Sequence, residues 1–274
     1  MRRGEDTSGD VRRVWPGLLV GAAFVAIAFL EWRRPLRDPR ESRLVRLGRN
    51  GMIGAFSAAV VSVADRPVVT PVARFVTRRR WGLLRWLGLP PAVRLACGLV
   101  LLDYTLYVWH VLLHRVPLLW RFHVVHHIDR DLDALTAIRF HFGELLLSVP
   151  WRVAQVVTLG IDARTLSAWQ TSLFLSVLFH HSNVRLPPGA ERVVSRFVVT
   201  PRIHGIHHST APDEMNANWS SGLMVWDLLH RTAARGIPPH DVTIGVPGYQ
   251  DAADVTVGRM LWLPFTRLRT DRVR

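Results

Sequence analysis

The chain of 274 residues contains no lysine: all 35 of its basic residues are arginine, against 21 acids, for a formal charge of +14. Complete replacement of one basic residue by the other reads as compositional bias, not as selection for a basic surface. The arginines are scattered and form no single stripe, which argues against nucleic-acid binding and leaves membrane topology as their better use. Cysteine is almost as scarce. Cys97 stands alone, which excludes an intramolecular disulfide and any cysteine-based zinc or iron–sulfur site. Any metal must therefore rest on nitrogen and oxygen ligands. There is no HExxH stretch, so the usual metallopeptidase arrangement is missing, and no internal repeat or low-complexity tract occurs.

Apolar sequence is plentiful instead, at 49% of residues with a mean hydropathy of +0.15. The first run, Trp15 to Trp32, has tryptophan at both edges and Arg2, Arg3, Arg12 and Arg13 before it. Lacking a small-residue cleavage site at its far end, it reads as an uncleaved membrane helix and not a signal peptide. Seven arginines follow between Arg33 and Arg49. A second run starts at Met52 and weakens past Pro67 and Pro71 towards Phe75. "TRRRWGLLRWLGLPP" then suggests either an amphipathic interfacial segment or a plain basic loop. A third run, Ala92 to Leu113, carries Asp103 and His110 in its later half. Glu144–Leu159 and Leu166–Phe179 form a helical hairpin near the lower length limit for crossing a bilayer. From Arg185 the chain turns polar. If the histidine-bearing ends face the cytoplasm, so does the Arg33–Arg49 loop, and the Arg74–Arg85 cluster then falls outside, against the positive-inside tendency.

Histidine is the distinctive residue. Eleven of thirteen lie between His110 and His208, and in groups. "HVLLH" gives His110 and His114; "HVVHH" gives His123, His126 and His127; "HGIHH" repeats that pattern at His204, His207 and His208. His141 stands in "RFHFGE", and His180 with His181 in "FHHSN". Offsets of i, i+3 and i+4 put imidazoles on one helix face. Such a face is costly to bury unpartnered, and ionisable groups at membrane helix ends are functional by default. Eight clustered histidines exceed what one ion uses and suit two metals with four or five ligands each. Neutral imidazole accepts iron, copper, zinc or nickel. The adjoining apolar spans favour oxygen activation on a lipid, and hence iron.

These motifs resemble the fatty acid hydroxylase/sterol desaturase superfamily of integral-membrane di-iron oxygenases. "DYTLYVWHVLLHRVPLLWRFHVVHH", "DALTAIRFHFGE", "HHSNVRLP", "TPRIHGIHHS" and "NANWSSGLMVWDLLHRT" fall in the family's order, from about Leu95 to Thr232. The resemblance implies an all-α integral membrane protein: about four transmembrane helices under a cytosolic helical cap that holds a histidine-rich dinuclear metal site. It implies two iron ions, O2 as co-substrate and a ferredoxin-like or cytochrome b5-like electron donor. Residues 1–91 would be the N-terminal membrane region, 92–235 the catalytic domain and 236–274 a C-terminal tail. The family's eight signature ligands carry over to His110, His114, His123, His126, His127, His204, His207 and His208. His181 matches its "HSN" histidine, and His141 the one in its "R-x-H-P-x-E" motif. His180 has no match and is either a neighbour of the ligands or packing.

Two departures stand out. Phe142 replaces the usual proline, and His230 takes an aromatic's place in "WDLLHRT", where a surface histidine is expected. Metal-bound imidazoles commonly donate their other N–H to a carboxylate or carbonyl. Asp103, Asp133, Glu144 and Asp227 are the acids expected in that supporting role, with Asp131 and Asp213 expected as helix caps or surface acids. The function expected is hydroxylation or desaturation of a membrane lipid, fatty acyl or isoprenoid, at the cell (inner) membrane with the site facing the cytoplasm. The alternatives are a membrane zinc hydrolase and a non-catalytic metal-binding or transport protein.

Overall fold

The computed structural model describes residues 7–269, with side chains from Trp15 onward. Arg2 and Arg3, and the side chains of Arg12 and Arg13, lie outside the described residues. The architecture is all-helical: among the described residues only three isolated bridges occur and no strand. Helix α1 (Thr7–Arg33) leads, followed by α2 (Arg43–Val60), a π turn (Val61–Asp65) and α3 (Arg66–Arg79) as one continuous rod. The run thus passes through Pro67 and Pro71 instead of weakening there. The π turn widens the backbone where the ring of Pro67 would meet the carbonyl of Val63, four residues back. A left-handed residue, Arg80, ends α3. The short α4 (Leu83–Trp86) then buries Leu84 and leaves Trp81 and Trp86 exposed. That is an amphipathic segment and not a plain loop.

Among the described residues, helix α5 (Pro91–Arg115) completes the set of three helical stretches long and apolar enough to cross a membrane, with Trp15–Arg33 and Arg43–Trp86. Helices α7 (Phe142–Leu159) and α8 (Ala163–His181) form the hairpin, turned by Gly160 at φ 78° and capped by Asp162, which accepts the Thr165 N–H at 2.8 Å. One face of α7 is polar at helical spacing, Glu144, Ser148, Arg152 and Gln155. Arg152 pairs with the buried Asp65 of the π turn at 3.3 Å. Leu102, Val156, Ile161 and Trp169 pack with Val69 and Val76 into the core between α3, α5, α7 and α8. Phe24 and Ile27 of α1 lie against Val177 and Leu178 of α8. Around these helices lipid is as apolar as leucine, so close packing and internal hydrogen bonds hold them together.

The cap is made of short helices: α6 (Pro117–His127), α9 (Pro188–Val194), α10 (Pro201–His207), α11 (Pro212–Met215), α12 (Val225–Leu229) and α13 (Val257–Trp262). Among the described residues, 246–268 pack onto it. Tyr249, Val255, Met260 and Leu263 close over Trp120, Val124, Val125 and Ile128 of α6 in one buried cluster. Burial of each large apolar side chain there is worth about 1.5–3 kcal/mol. The Arg33–Arg49 stretch lies at the cap end, where Arg46 meets Asp129. Arg85 lies at the opposite end, against Gly160 and Asp162.

Candidate metal centre

Each histidine reaches the centre from the end of an element. Helix α5 delivers His110 and His114 in its last two turns. Val116 breaks the chain into extended conformation, and Pro117 restarts it as α6, whose buried second half carries His123, His126 and His127 towards the centre and Val124 and Val125 into the cap core. His181 closes α8. Thr200 caps the start of α10, Pro201 opens it with the preset φ of a first-turn proline, and His204, His207 and His208 follow.

These side chains converge on two groups, all buried. His110, His114, His123, His127 and His207 form one; His126, His181, His204 and His208 form the other, with the donor atoms of each within 4.8 Å of one another. The "HVVHH" segment is divided between them. A carbonyl only accepts, so each Nδ1 that faces one must carry the proton. His110 donates to Trp219 O at 2.7 Å, His207 to Ala217 O at 2.8 Å, His126 to Arg139 O at 3.3 Å and His181 to Val177 O at 2.9 Å. Their Nε2 atoms are then bare lone pairs, yet His207 faces His110 at 3.1 Å and His181 faces His126 at 2.9 Å. No proton is available to bridge either pair. A cation between them relieves the repulsion, and this spacing suits neighbouring ligands on an ion with bonds of about 2.0–2.1 Å. Both nitrogens of His114 and Nδ1 of His127, His204 and His208 are buried without any partner. Burial holds His127, His204 and His208 well below their ordinary pKa and pushes His207 down to about 3, against the pull of the Ala217 carbonyl. Burial thus favours the neutral imidazoles, the form that can ligate a metal, at physiological pH. An all-nitrogen, buried donor set in two groups fits two transition-metal ions.

His141 does not join them, although the motif placed it among the ligands. Its Nδ1 accepts the Gly143 N–H at 2.9 Å as the cap of α7, and its Nε2 meets Leu261 O at 3.2 Å. Both nitrogens are engaged elsewhere. His180 is buried with its ring centroid 4.1 Å from that of His204 and belongs to neither group. His230 is exposed at the surface but stacks on Tyr107 at 5.0 Å, so an imidazole occupies the aromatic's place.

The four expected acids divide. Glu144 Oε1 meets His123 Nδ1 at 3.2 Å. Asp227 acts one step removed: it accepts the Trp219 and Ser220 N–H groups and the Thr232 hydroxyl, fixing the loop whose carbonyl holds His110. Asp103 and Asp133 touch no histidine. Asp103 takes the Leu223 N–H and the Trp226 indole, tying α5 to the cap, and its carboxylate fills the space a side chain at Gly222 would need. Asp133 binds Arg46 at 2.8 Å. Asp131, expected as a cap or surface acid, is buried and accepts the Arg40 and Glu41 N–H groups; Asp213 is exposed.

The reading from residue types missed Asp129, two positions beyond His127. It is fully buried and gathers Arg46, Arg49, Asn50 and Thr136 through its carboxylate, with Arg139 at 3.2 Å. Burial alone would raise its pKa, but Arg46, Arg139 and Arg49 outweigh that and hold the carboxyl well below the usual carboxylate range. Arg139 in turn binds Val125 O with Nε and offers its own carbonyl to His126. An acid directly after "HHI" was the one available signal. Backbone carbonyl partners leave none, because every residue has one.

No solved structure matches the chain. Among curated proteins, it is 32% identical to an ornithine lipid hydroxylase of Rhizobium tropici over 58% of this chain and 47% of that protein. It is 26% identical to a fatty acid hydroxylase of a Lecanicillium species over 83% and 64% respectively. A cholesterol 25-hydroxylase of Mus musculus is 32% identical over 48% of this chain and 43% of its own length. The chain thus spans about half to two thirds of these relatives. The fatty acid hydroxylase family model matches residues 95–232, the stretch that holds all nine histidines of the two groups and the acids that brace them. The protein is therefore a membrane protein of the fatty acid hydroxylase family.

Proposed function

We propose that the protein is a membrane-bound di-iron oxidoreductase that hydroxylates or desaturates a lipid C–H bond with O2 and an electron donor. The observation that carries this reading is the pair of buried all-histidine groups, set where apolar helices meet the cap, with lone pairs that face each other unbridged. His110, His114, His123, His127 and His207 would hold one iron, and His126, His181, His204 and His208 the other. The irons supply activation of O2, which a strong aliphatic C–H bond demands and acid–base chemistry does not provide. In hydroxylation one oxygen atom enters the C–H bond and the other leaves as water, with electrons and protons delivered from outside.

The chain's own residues do the rest. Carbonyls of Trp219, Ala217, Arg139 and Val177 fix the imidazole tautomers. Glu144 adds negative charge beside His123. Trp120, whose ring lies 5.0 Å from that of His114, excludes water from the group. The names of the relatives support a lipid substrate, and a ferredoxin-like or cytochrome b5-like protein fits as donor. The site would face the cytoplasm from the cell (inner) membrane, with the Arg33–Arg49 stretch on the same side. The test is to load purified protein with iron and compare lipid products with and without O2 and reductant. Two irons per chain and O2-dependent product support the reading; turnover under strict anaerobiosis with zinc alone refutes it.

A further inference from the structure

Away from the histidine groups, a half-open cavity of about 810 Å³ lies between the cap, the end of α1 and the start of α2, lined by nine arginines and six carboxylates, a size ordinary for a small-molecule site. The carboxylates are mostly engaged. Glu31 accepts the Ala134 and Asn183 N–H groups, Glu41 binds Arg49 and Arg130, Asp131 accepts two backbone N–H groups, Asp133 binds Arg46, and Glu191 takes the Thr200 hydroxyl. The arginines mostly lack a counter-charge. Among the described residues only Arg46 and Arg130 of the nine stand in ion pairs. Arg185 donates to the Pro35 and Leu36 carbonyls, Arg235 to Ser195 O and Arg202 to Ile237 O at 3.5 Å, all neutral acceptors.

Arg37 is the informative one. Its backbone is clamped by Asn183 of "HHSN", whose side chain accepts the Arg37 N–H at 2.9 Å and donates to its carbonyl at 2.8 Å. Its guanidinium lies on Gly205 of "HGIHH", in the space a Cβ there would occupy. Nε and Nη1 are buried with no acceptor, and Nη2 reaches only Pro201 O at 3.5 Å. Burial without a counter-charge lowers its pKa to about 10. An unpaired buried cation is expensive, yet two motif segments hold this one in place. The cavity it lines is the space from which a counter-charge can come.

We propose that this cavity binds a phosphate-bearing anion, whose oxygens complete Arg37 and Arg202 on the face of α10 opposite its histidines. Guanidinium groups match phosphate oxygens in fixed, bidentate geometry, and several converging arginines call for more than one negative charge. Two sources share that chemistry. Glu31, in the last turn of α1, lies in the cavity wall, so the cavity adjoins the end of a candidate span where phospholipid headgroups sit. A soluble diphosphate would fit the same arginines.

The test uses the full chain in detergent, with pyrophosphate and phosphatidylglycerol as probes, and needs neither metal nor turnover. Pyrophosphate should raise the thermal midpoint saturably where sodium chloride of matched ionic strength does not, or native mass spectrometry should show phosphatidylglycerol retained over phosphatidylcholine. Saturation by pyrophosphate alone assigns a soluble ligand; retained lipid assigns a headgroup. In Arg37→Gln/Arg202→Gln the affinity should fall about tenfold or more, as expected for lost charge-assisted hydrogen bonds. Should that pair fail to fold, Arg192→Gln alone, at the exposed rim, should weaken the same binding. Binding of neither probe, or equal binding by folded parent and variant, overturns the proposal.

Discussion

Replacing Asp129 by asparagine tests how the histidine-bearing end of α6 is held. The carboxylate, itself fully buried, receives Arg46 at 2.7 and 3.2 Å, Arg49 at 3.2 Å, Asn50 at 3.2 Å, Thr136 at 2.9 Å and the Arg130 N–H at 3.0 Å. Asparagine keeps the shape but removes the charge and turns an NH2 group towards guanidinium donors. Breaking a buried ion pair from one side costs about 3–5 kcal/mol because the partner charge is stranded. At roughly 2 °C per kcal/mol for a chain of this size, the thermal midpoint should fall by about 6–10 °C. The control is Asp131→Asn, whose carboxylate takes two backbone N–H groups. It should lose about 1 kcal/mol, near 2 °C. Both are read by intrinsic fluorescence on heating in detergent, with metal content measured alongside. The network supports Val125 and Arg139, whose carbonyl orients His126, so iron occupancy should fall with stability in Asp129→Asn. Equal shifts in the two variants, or an Asp129→Asn midpoint within about 2 °C of the parent, would sink the reasoning.

Other outcomes separate the site from its surroundings. Replacement of His207 by alanine should remove metal measurably by elemental analysis, whereas His141→Ala should keep it and lose about 1 kcal/mol through the missing cap of α7. Glu144→Ala should weaken metal affinity by about 10- to 100-fold, as for other carboxylates that brace a ligating imidazole, and competition with a chelator measures it. In the membrane helices, Asp65→Leu should destabilise by about 3 kcal/mol or more by stranding Arg152, while Asp65→Leu/Arg152→Leu should recover most of that loss. If the double variant melts no higher than the single, the pair is not coupled.

Much of the molecule was legible from one dimension. Hydrophobic runs and the offsets within "HVLLH", "HVVHH" and "HGIHH" are local properties, and helical periodicity converts them directly into faces and ends. The sequence by itself therefore determined the long apolar stretches and the clustered imidazoles, because those follow from spacing along a single element, while the all-helical architecture with its cap was implied by the family resemblance. Tertiary structure decided everything that depends on distance between elements. It divided adjacent His126 and His127 between two groups, and it engaged both nitrogens of His141, one as the cap of α7 and the other against the Leu261 carbonyl, although its motif matched. Asp103 and Asp133 were turned to the cap and to Arg46, while Asp129 became a hub through residues 79 to 83 positions away. Backbone carbonyls fixed the tautomers of four clustered histidines, and a carbonyl is the same atom at every position. Only the fold says which one meets an imidazole.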